Sequence, residues 1–325
     1  MKGEKNKKHH FIPQCYLRYF SNNRKSINIY SKKRNRSSPI QAISKTACED
    51  YFYRIPEKFI ANLDNQIFHP NFFEKEFFDD NIEKLLGPIL KTIDCAVENW
   101  KTNKIENEVL QKSDKEVFAG LIAVQYLRLP NIRDLNWSFY TKSNNERLDI
   151  VKSILSAEFP ENKSFMETIN LEIDEEYKLV LHAKTFANEN LIYKLQDCIL
   201  DKIWIFYVSN EDDFYTSDNP IILKPHIGEQ SSFYDEGVEI IFPISSSVLL
   251  TLWDKKHFED KIFQDNKFNI INSKSKNEYN CYQYLFANDE VYSKNDNFKL
   301  IELLKYVNGG NEKFIKKPTV LVNGK

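Results

Sequence analysis

Val238-Glu-Ile-Ile-Phe242 and Val248-Leu-Leu-Thr-Leu-Trp253 are two short apolar runs joined by Pro-Ile-Ser-Ser-Ser. β-Branched and aromatic side chains are frequent in both runs and turn residues lie between them, which is typical of neighbouring β-strands. Similar apolar runs occupy residues 203–208 and 221–223. The sequence therefore predicts a β-rich region over residues 202–325.

Residues 56–201 are predicted to be mainly helical. Between residues 72 and 100, apolar side chains recur at helical spacing and share one face of an amphipathic helix: Phe78, Ile82, Leu85, Leu86, Ile89, Ile93, Val97 and Trp100. A second helix is predicted to begin at Ser113, which suits an N-cap with Glu116 three residues later, and to end before Pro130.

Other elements complete the expected pattern along the chain. A third helical run is predicted over residues 173–201, and a polar linker over residues 142–163 precedes it. Within the β-rich region, a helical segment is predicted near residues 266–284 and a further strand near 290–292.

The N-terminal region is predicted to form a small module of mixed structure. Residues 14–20 are amphipathic, residues 27–30 alternate as a strand does, and Pro39 opens a helix-like segment that ends at Tyr53. The predicted fold class is α+β with three regions: a small N-terminal β/α module (1–55), a central helical region (56–201) and a C-terminal β-rich region (202–325) packed with the module as one globular unit.

Charge is distributed unevenly along the 325 residues. The formal net charge of −2 argues against a wholly electrostatic nucleic-acid binder, yet residues 2–8 and 18–36 are strongly basic. The five cysteines are widely spaced and contain no CxxC pair, so neither a disulfide framework nor a Cys-based zinc site is expected. Without a signal peptide or an apolar stretch of roughly 20 residues, we expect a cytoplasmic protein and no membrane partner.

The most specific motif lies near the N-terminus, where Lys8-His-His-Phe-Ile-Pro-Gln-Cys-Tyr-Leu-Arg-Tyr-Phe20 has the form HHxxPQxYLRxF. Further motifs follow in order: Cys48-Glu-Asp-Tyr-Phe-Tyr53, the helix glutamates Glu76 and Glu83, Gln125-Tyr-Leu-Arg-Leu-Pro130, Thr216-Ser-Asp-Asn-Pro220, Phe242-Pro-Ile-Ser245 and Asn272. This series resembles the family of the domain of unknown function 4238 over nearly the whole chain. The resemblance implies no established reaction, but it indicates which residues to examine.

His9 and His10 are the leading candidates for catalytic residues. Tandem histidines followed by an apolar pair and Pro13 resemble the first strand of HNH (ββα-metal) nucleases, in which one histidine binds a divalent metal ion and its neighbour is the general base. Phosphodiester cleavage needs a proton acceptor near neutrality and a cation at the scissile phosphate. The resemblance therefore assigns His10 as the base and His9 as a ligand of Mg²⁺, Mn²⁺ or Zn²⁺. Alternatively, both histidines only hydrogen-bond the fold together or belong to a basic tail.

Four acidic side chains occupy positions i, i+3, i+4 and i+7 of the predicted helix and therefore form one stripe on its surface: Glu76, Asp79, Asp80 and Glu83. Glu76 and Glu83 lie at the border of the apolar face and are assigned as further metal ligands. The alternative is a solvated acidic face, which is usual for such runs.

Arg128, near the end of the second predicted helix, is assigned as a catalytic phosphate clamp, since guanidinium groups match phosphate geometry. Pairing with an acidic neighbour is the alternative. Asp218 would bind a metal ion or orient a histidine, although such motifs most often form an Asx or ST turn. The residues assigned to binding are Gln14, Arg18, Gln125 and Asp218.

Three functions are compatible with these assignments. The leading hypothesis is a metal-dependent nuclease or related phosphodiesterase acting on nucleic acid, for example as a bacterial defence or toxin effector. The second is a module that binds nucleic acid, a partner protein or another copy of the chain without chemistry, through its basic residues and tyrosines. The third is an enzyme acting on a small nucleotide.

Overall fold

The chain folds into two main β-sheets, and helices pack on both faces of the larger sheet. A computed structural model describes residues 7–61, 69–103, 107–229 and 232–307. Helix accounts for 52% of residues and strand for 18%, with sheets and a helical middle region, which confirms the predicted α+β class.

The elements are numbered in chain order. The strands are β1 (Lys8–His10), β2 (Ser26–Ser31), β3 (Arg36–Ala42), β4 (Cys48–Asp50), β5 (Ile203–Val208), β6 (Thr216–Ser217), β7 (Ile222–Pro225), β8 (Val238–Pro243), β9 (Val248–Trp253), β10 (Lys267–Ile270) and β11 (Glu290–Ser293). The α-helices are α1 (Gln14–Leu17), α2 (Glu57–Ile60), α3 (Lys84–Asn103), α4 (Lys112–Leu127), α5 (Pro130–Glu158), α6 (Lys163–Thr168), α7 (Tyr177–Ala187), α8 (Glu189–Leu200), α9 (Ser273–Phe286) and α10 (Lys299–Val307).

The smaller main sheet joins the two ends of the chain. Its strand order is β3-β2-β11-β6, and all three pairings are antiparallel. The strand predicted near residues 290–292 is thereby confirmed. The helix-like segment predicted from Pro39 is wrong, because Pro39 lies in β3. That strand is at the sheet edge, where a residue without a backbone N–H is tolerated. Beside this sheet, β1 and β4 form a separate antiparallel pair.

The five-stranded sheet has the order β10-β5-β9-β8-β7, with β10 parallel to β5 and the other pairs antiparallel. Alternate residues point to opposite faces of a strand. Ile240 and Leu250 accordingly belong to the core shared with the helices, whereas Ile241 and Leu249 pack with Tyr279 of α9. All four strands predicted between residues 203 and 253 are present.

Three helix predictions need correction. The polar stretch at residues 142–163 is not a linker, because most of it belongs to the 29-residue helix α5. Helix α4 begins after Gln111, so Ser113 lies inside the helix and is not its N-cap. Helix α9 is preceded by β10, and the Asn272 side chain caps it by accepting a hydrogen bond from the Ser275 N–H.

The predicted helix over residues 72–100 is confirmed in position, but it has two parts. Residues Phe73–Glu83 form a π-helix, which continues directly as α3. Ile89 and Ile93 are buried as predicted, whereas Leu85, just past the junction, is 51% exposed. The change from π to α geometry shifts the faces of the helix at this point. No helix in the described part of the chain is long and apolar enough to cross a membrane.

Candidate functional site

Tyr53 lies at the centre of a buried cluster that brings together several motifs from distant parts of the sequence. Its ring stacks on the imidazole of His9, with 6.1 Å between centroids, and contacts Phe78 at 4.5 Å. Its hydroxyl accepts a hydrogen bond from Nε of Arg128 at 3.1 Å. We use the name motif cluster for the following residues: His9, His10, Gln14, Tyr53, Gln125 and Arg128.

His9 and His10 have different surroundings because successive side chains of a strand point to opposite faces. His9 is fully buried, and its Nδ1 accepts a hydrogen bond from the Tyr53 N–H at 3.1 Å. His10 is 8% exposed, and its Nδ1 donates to the carbonyl oxygen of Thr46 at 3.1 Å. The side chains of the two histidines therefore point to opposite sides of β1.

Hydrogen bonding fixes the tautomer of His10. A carbonyl oxygen only accepts, so Nδ1 carries the proton and Nε2 bears the lone pair in the neutral ring. The Gln14 amide donates to this lone pair at 3.2 Å. Burial lowers the pKa of His10 below its ordinary value of 6.5, although the hydrogen bond to Thr46 acts in the opposite direction. At pH 7 the ring is therefore neutral, which is the state that a general base requires.

Arg128 is fully buried and tightly held. Its Nη2 donates to the backbone carbonyl of His10, and its guanidinium lies over the ring of Phe78 at 4.2 Å. Glu83 is 3.7 Å from Nη2 and supplies an opposite charge, as a buried guanidinium requires. Contact between Arg128 and a substrate phosphate would require some of these interactions to open.

Gln125 and Arg128 lie one turn apart near the end of α4 and bind consecutive carbonyl groups. Gln125 Nε2 donates to the carbonyl of Phe11 at 3.0 Å, next to the His10 carbonyl that Arg128 binds. Within the described residues, Oε1 of Gln125 and Nη1 of Arg128 are buried without a hydrogen-bond partner. Most buried polar groups do have partners, so this acceptor and this donor are notable.

The two glutamates predicted as metal ligands have separate partners. Glu76 is half exposed and pairs with Nε2 of His69 at 2.8 Å, whereas Glu83 contacts Arg128. The side chains of Asp79 and Asp80, which belong to the same predicted stripe, lie outside the described residues.

Glu74, which the sequence analysis did not select, is buried on the side of the helix that faces Arg128. Its charge acts on the pKa values of both Tyr53 and Arg128. A π-helix closes i→i+5 hydrogen bonds, so residues about four to five apart share a face. Glu74, Phe78 and Glu83 follow this spacing, whereas an α-helical period favours Glu76.

Asp218 orders a turn through backbone contacts. Its carboxylate accepts hydrogen bonds from the N–H groups of Asn288 and Asp289 at 2.7 Å each and of Glu290 at 3.0 Å. Burial raises the pKa of Asp218 to about 6, against the effect of these bonds. The same motif reaches α1 through Thr216, whose hydroxyl lies 2.7 Å from that of Tyr16.

No group of three His, Cys, Asp or Glu side chains that could hold a metal ion occurs in the described ranges. His9 Nδ1 already accepts the Tyr53 N–H, Glu76 pairs with His69, and Glu83 lies beside Arg128. The trio His9, Glu76 and Glu83 therefore does not form a ligand set in this structure. The divalent metal ion stays a prediction.

A family model matches residues 8–297 of the chain. The chain belongs to the family described as Protein of unknown function (DUF4238). This finding confirms the resemblance inferred from the motifs, and both the motif cluster and Asp218 lie within the matched range. No curated protein and no solved structure matches the chain.

His182 is a neighbour of the motif cluster that the sequence analysis did not select. Its ring packs on Tyr53 at 5.9 Å and on Phe186 at 4.7 Å, and its Nε2 donates to the Leu127 carbonyl at 3.0 Å. Burial lowers the pKa of His182 to about 3. Nothing in its local sequence indicated this position, because Tyr53 and Leu127, which it contacts, come from distant segments.

The surface of the N-terminal module is basic. Residues 1–48 contain twelve of the 45 Lys and Arg residues of the chain but only one of its 47 Asp and Glu residues. Lys32 is held by the carbonyls of Leu285 and Ala287, and Arg34 lies 3.8 Å from Glu290. We use the name basic surface for the exposed members in the described range: Lys7, Lys8, Arg18, Arg24, Lys25, Lys33, Arg34, Arg36 and Lys45.

Proposed function

We propose that the protein binds nucleic acid on the basic surface and cleaves a phosphodiester bond at the motif cluster, with His10 as the general base. The observation that carries this proposal is the neutral, oriented imidazole of His10. It lies at the end of β1, within the module that provides the basic surface.

The geometry of His10 fits proton abstraction from an attacking water molecule, whose oxygen forms a bond to phosphorus while the bond from phosphorus to the leaving sugar oxygen breaks. Solvent then protonates the leaving oxygen. Nε2 would accept the proton, and the Nδ1 bond to the Thr46 carbonyl would stabilise the imidazolium that forms. The Gln14 amide, which donates to Nε2, has to move aside or share the site with the nucleophile. Oε1 of Gln125 and Nη1 of Arg128 offer an acceptor and a donor close to the His10 backbone.

The charge distribution supports a polyanionic substrate. The chain as a whole has a formal net charge of −2, yet its first 48 residues contain almost no acidic side chain. Such separation attracts a phosphate backbone to one part of the molecule, because neutralised phosphates release counterions. A small nucleotide would use fewer of these side chains.

The test is a His10→Asn variant, in which the asparagine amide can still donate to Thr46 but has no basic lone pair. We expect cleavage of DNA or RNA, assayed with and without Mg²⁺, Mn²⁺ or Zn²⁺, to slow by about 10²–10⁴-fold. Affinity for the uncleaved strand should stay within a few-fold. His257→Asn, a change at an exposed histidine, is the matched control and should leave both quantities unchanged.

The pH dependence provides a second readout of the same role. A base acts in its deprotonated form, so the cleavage rate should rise with pH and reach half of its plateau below pH 6.5, since burial lowers the pKa of His10. An acidic limb that persists unchanged in His10→Asn would assign the base to another residue.

Binding without cleavage is the second candidate function. It is favoured by the low exposure of His10, 8%, and by the complete burial of Arg128. In that case no metal or pH supports cleavage, and only substitutions on the basic surface alter binding. Wild-type protein that neither binds nor cuts any strand would contradict both functions and leave the small nucleotide as substrate.

A further inference from the structure

A cavity of about 240 Å³ lies beside α2, α5 and α7, and its lining contains no residue of the motif cluster. Three aromatic residues line it, Phe59, Tyr140 and Tyr177, together with the acidic residues Glu172 and Asp174. Aromatic faces combined with carboxylates are the components of sites that bind organic cations.

The three rings are arranged around Tyr177. The centroid of Phe59 lies 5.5 Å from that of Tyr177, with 70° between the ring planes. Tyr140 lies 5.3 Å from Tyr177 on a plane inclined by 42°. Rings at such different inclinations present aromatic faces in more than one direction, which suits a rounded ligand better than a flat one.

The charge of the residues that line the cavity indicates the sign of the charge on its ligand. The segment at residues 172–176 contains four acidic residues, and two of them, Glu172 and Asp174, line the cavity. Asp174 is paired with Lys58, so the charge of Glu172 is the one that would repel a phosphate-bearing ligand and attract a cation. This distinguishes the cavity from the basic surface and argues against a nucleotide here.

The ammonium group of Lys58 already shows the interaction that a ligand would make. It lies 5.1 Å from the centroid of the Phe59 ring and 2.6 Å from a carboxylate oxygen of Asp174. Hydrogen bonds from Lys58 to Asp174 and Glu176 raise the pKa of its amine. A ligand cation would compete with Lys58 for the same ring and carboxylates.

We infer that this cavity binds a methylated ammonium group, carried either by a small quaternary amine or by a methylated lysine of a partner. A methylated ammonium is held by ring faces and carboxylates with few hydrogen bonds. That is the chemistry which Phe59, Tyr140, Tyr177 and Glu172 supply.

The experiment titrates the full-length protein with choline and with 3,3-dimethyl-1-butanol, its neutral analogue of matched shape, by calorimetry or ligand-observed NMR. A peptide containing trimethyllysine, with its unmethylated form as reference, tests the second source. We expect choline or the trimethyllysine peptide to bind at least about tenfold more tightly than its own reference compound.

Three variants test the site itself. Tyr140→Leu removes one aromatic face and should weaken binding by about fivefold. Lys58→Met removes the competing ammonium and should strengthen binding several-fold, a result that general damage to the fold would not produce. Tyr193→Leu, at a tyrosine that is 58% exposed outside this lining, is the control and should change nothing.

Binding of choline without the peptide identifies a small ligand, and binding of the peptide alone identifies a protein partner. Equal affinity for choline and the neutral alcohol would overturn the inference, because the cavity would then be merely apolar. Absence of binding by choline and by the trimethyllysine peptide would overturn it as well.

Discussion

At the scale of single residues, burial decides which groups around Tyr53 carry charge. His182 has a pKa of about 3 in the folded chain, against an ordinary value of 6.5. As pH falls below 6.5, the unfolded chain takes up a proton at this residue while the folded chain does not. His182 therefore contributes stability that is fully present above pH 6.5 and is lost as the pH falls toward 3.

This loss of stability at low pH should distinguish wild type from His182→Gln, whose amide can still donate to the Leu127 carbonyl. Between pH 6.5 and 4.5, the free energy of unfolding of wild type should fall by about 1–3 kcal/mol more than that of the variant. Urea unfolding at several pH values measures how steeply the free energy of unfolding depends on pH in each protein. Parallel slopes would show that His182 has similar pKa values in the folded and unfolded chains.

The sequence indicated which residues to examine but not the partner of each. Its motifs selected His9, His10, Gln125 and Arg128, which do lie in one cluster. The Thr46 carbonyl that fixes the tautomer of His10 comes from a segment without a motif. Hydrogen-bond partners depend on which segments meet in space, and residue spacing does not contain that information.

At the scale of secondary structure, apolar residues of α3 that belong to one sequence pattern differ in burial just after the π-helix. Ile89 is 7% exposed and packs in the main core, whereas Leu85 is 51% exposed although the same helical pattern included it. Ile89→Ala should therefore reduce the free energy of unfolding by about 2–4 kcal/mol. Leu85→Ala should change it by no more than about 0.5 kcal/mol. Chemical denaturation of the two variants tests this. Equal losses of stability would contradict the observed difference in burial between Ile89 and Leu85.

The sequence predicted the elements that carry a clear apolar pattern of their own. The strands β5, β8 and β9 are mostly apolar, and α3 carries a clear helical period. By contrast, β10 has few apolar residues and is a strand because it pairs with β5 in parallel. Helix α5 was missed because its polar composition resembles that of a linker, even though Lys, Glu, Arg and Leu all favour helix.

At the scale of the whole molecule, pairing of β2 with β11 places the basic N-terminal module in the same sheet as C-terminal strands. The remainder of the chain carries the excess of acidic residues, since the formal net charge is −2. On the proposed function, a polyanion would be drawn to this part of the protein and repelled by others. The sequence predicted this charge separation, because charge belongs to each residue by itself and needs no partner.

Charge reversal tests whether the basic surface binds nucleic acid. In the double variant Lys33→Glu, Arg36→Glu, both substituted residues are exposed on or beside the β2–β3 hairpin. Affinity should fall, and the slope of log affinity against log salt should flatten by about 0.9 for each phosphate that the variant no longer neutralises. Lys255→Glu, Lys256→Glu makes the same change of net charge at exposed residues after β9. Only the charges that face the bound nucleic acid neutralise its phosphates. The control variant should therefore keep the wild-type slope of log affinity against log salt. Equal effects in both variants would mean that net charge alone governs binding, and the basic surface would then have no specific role.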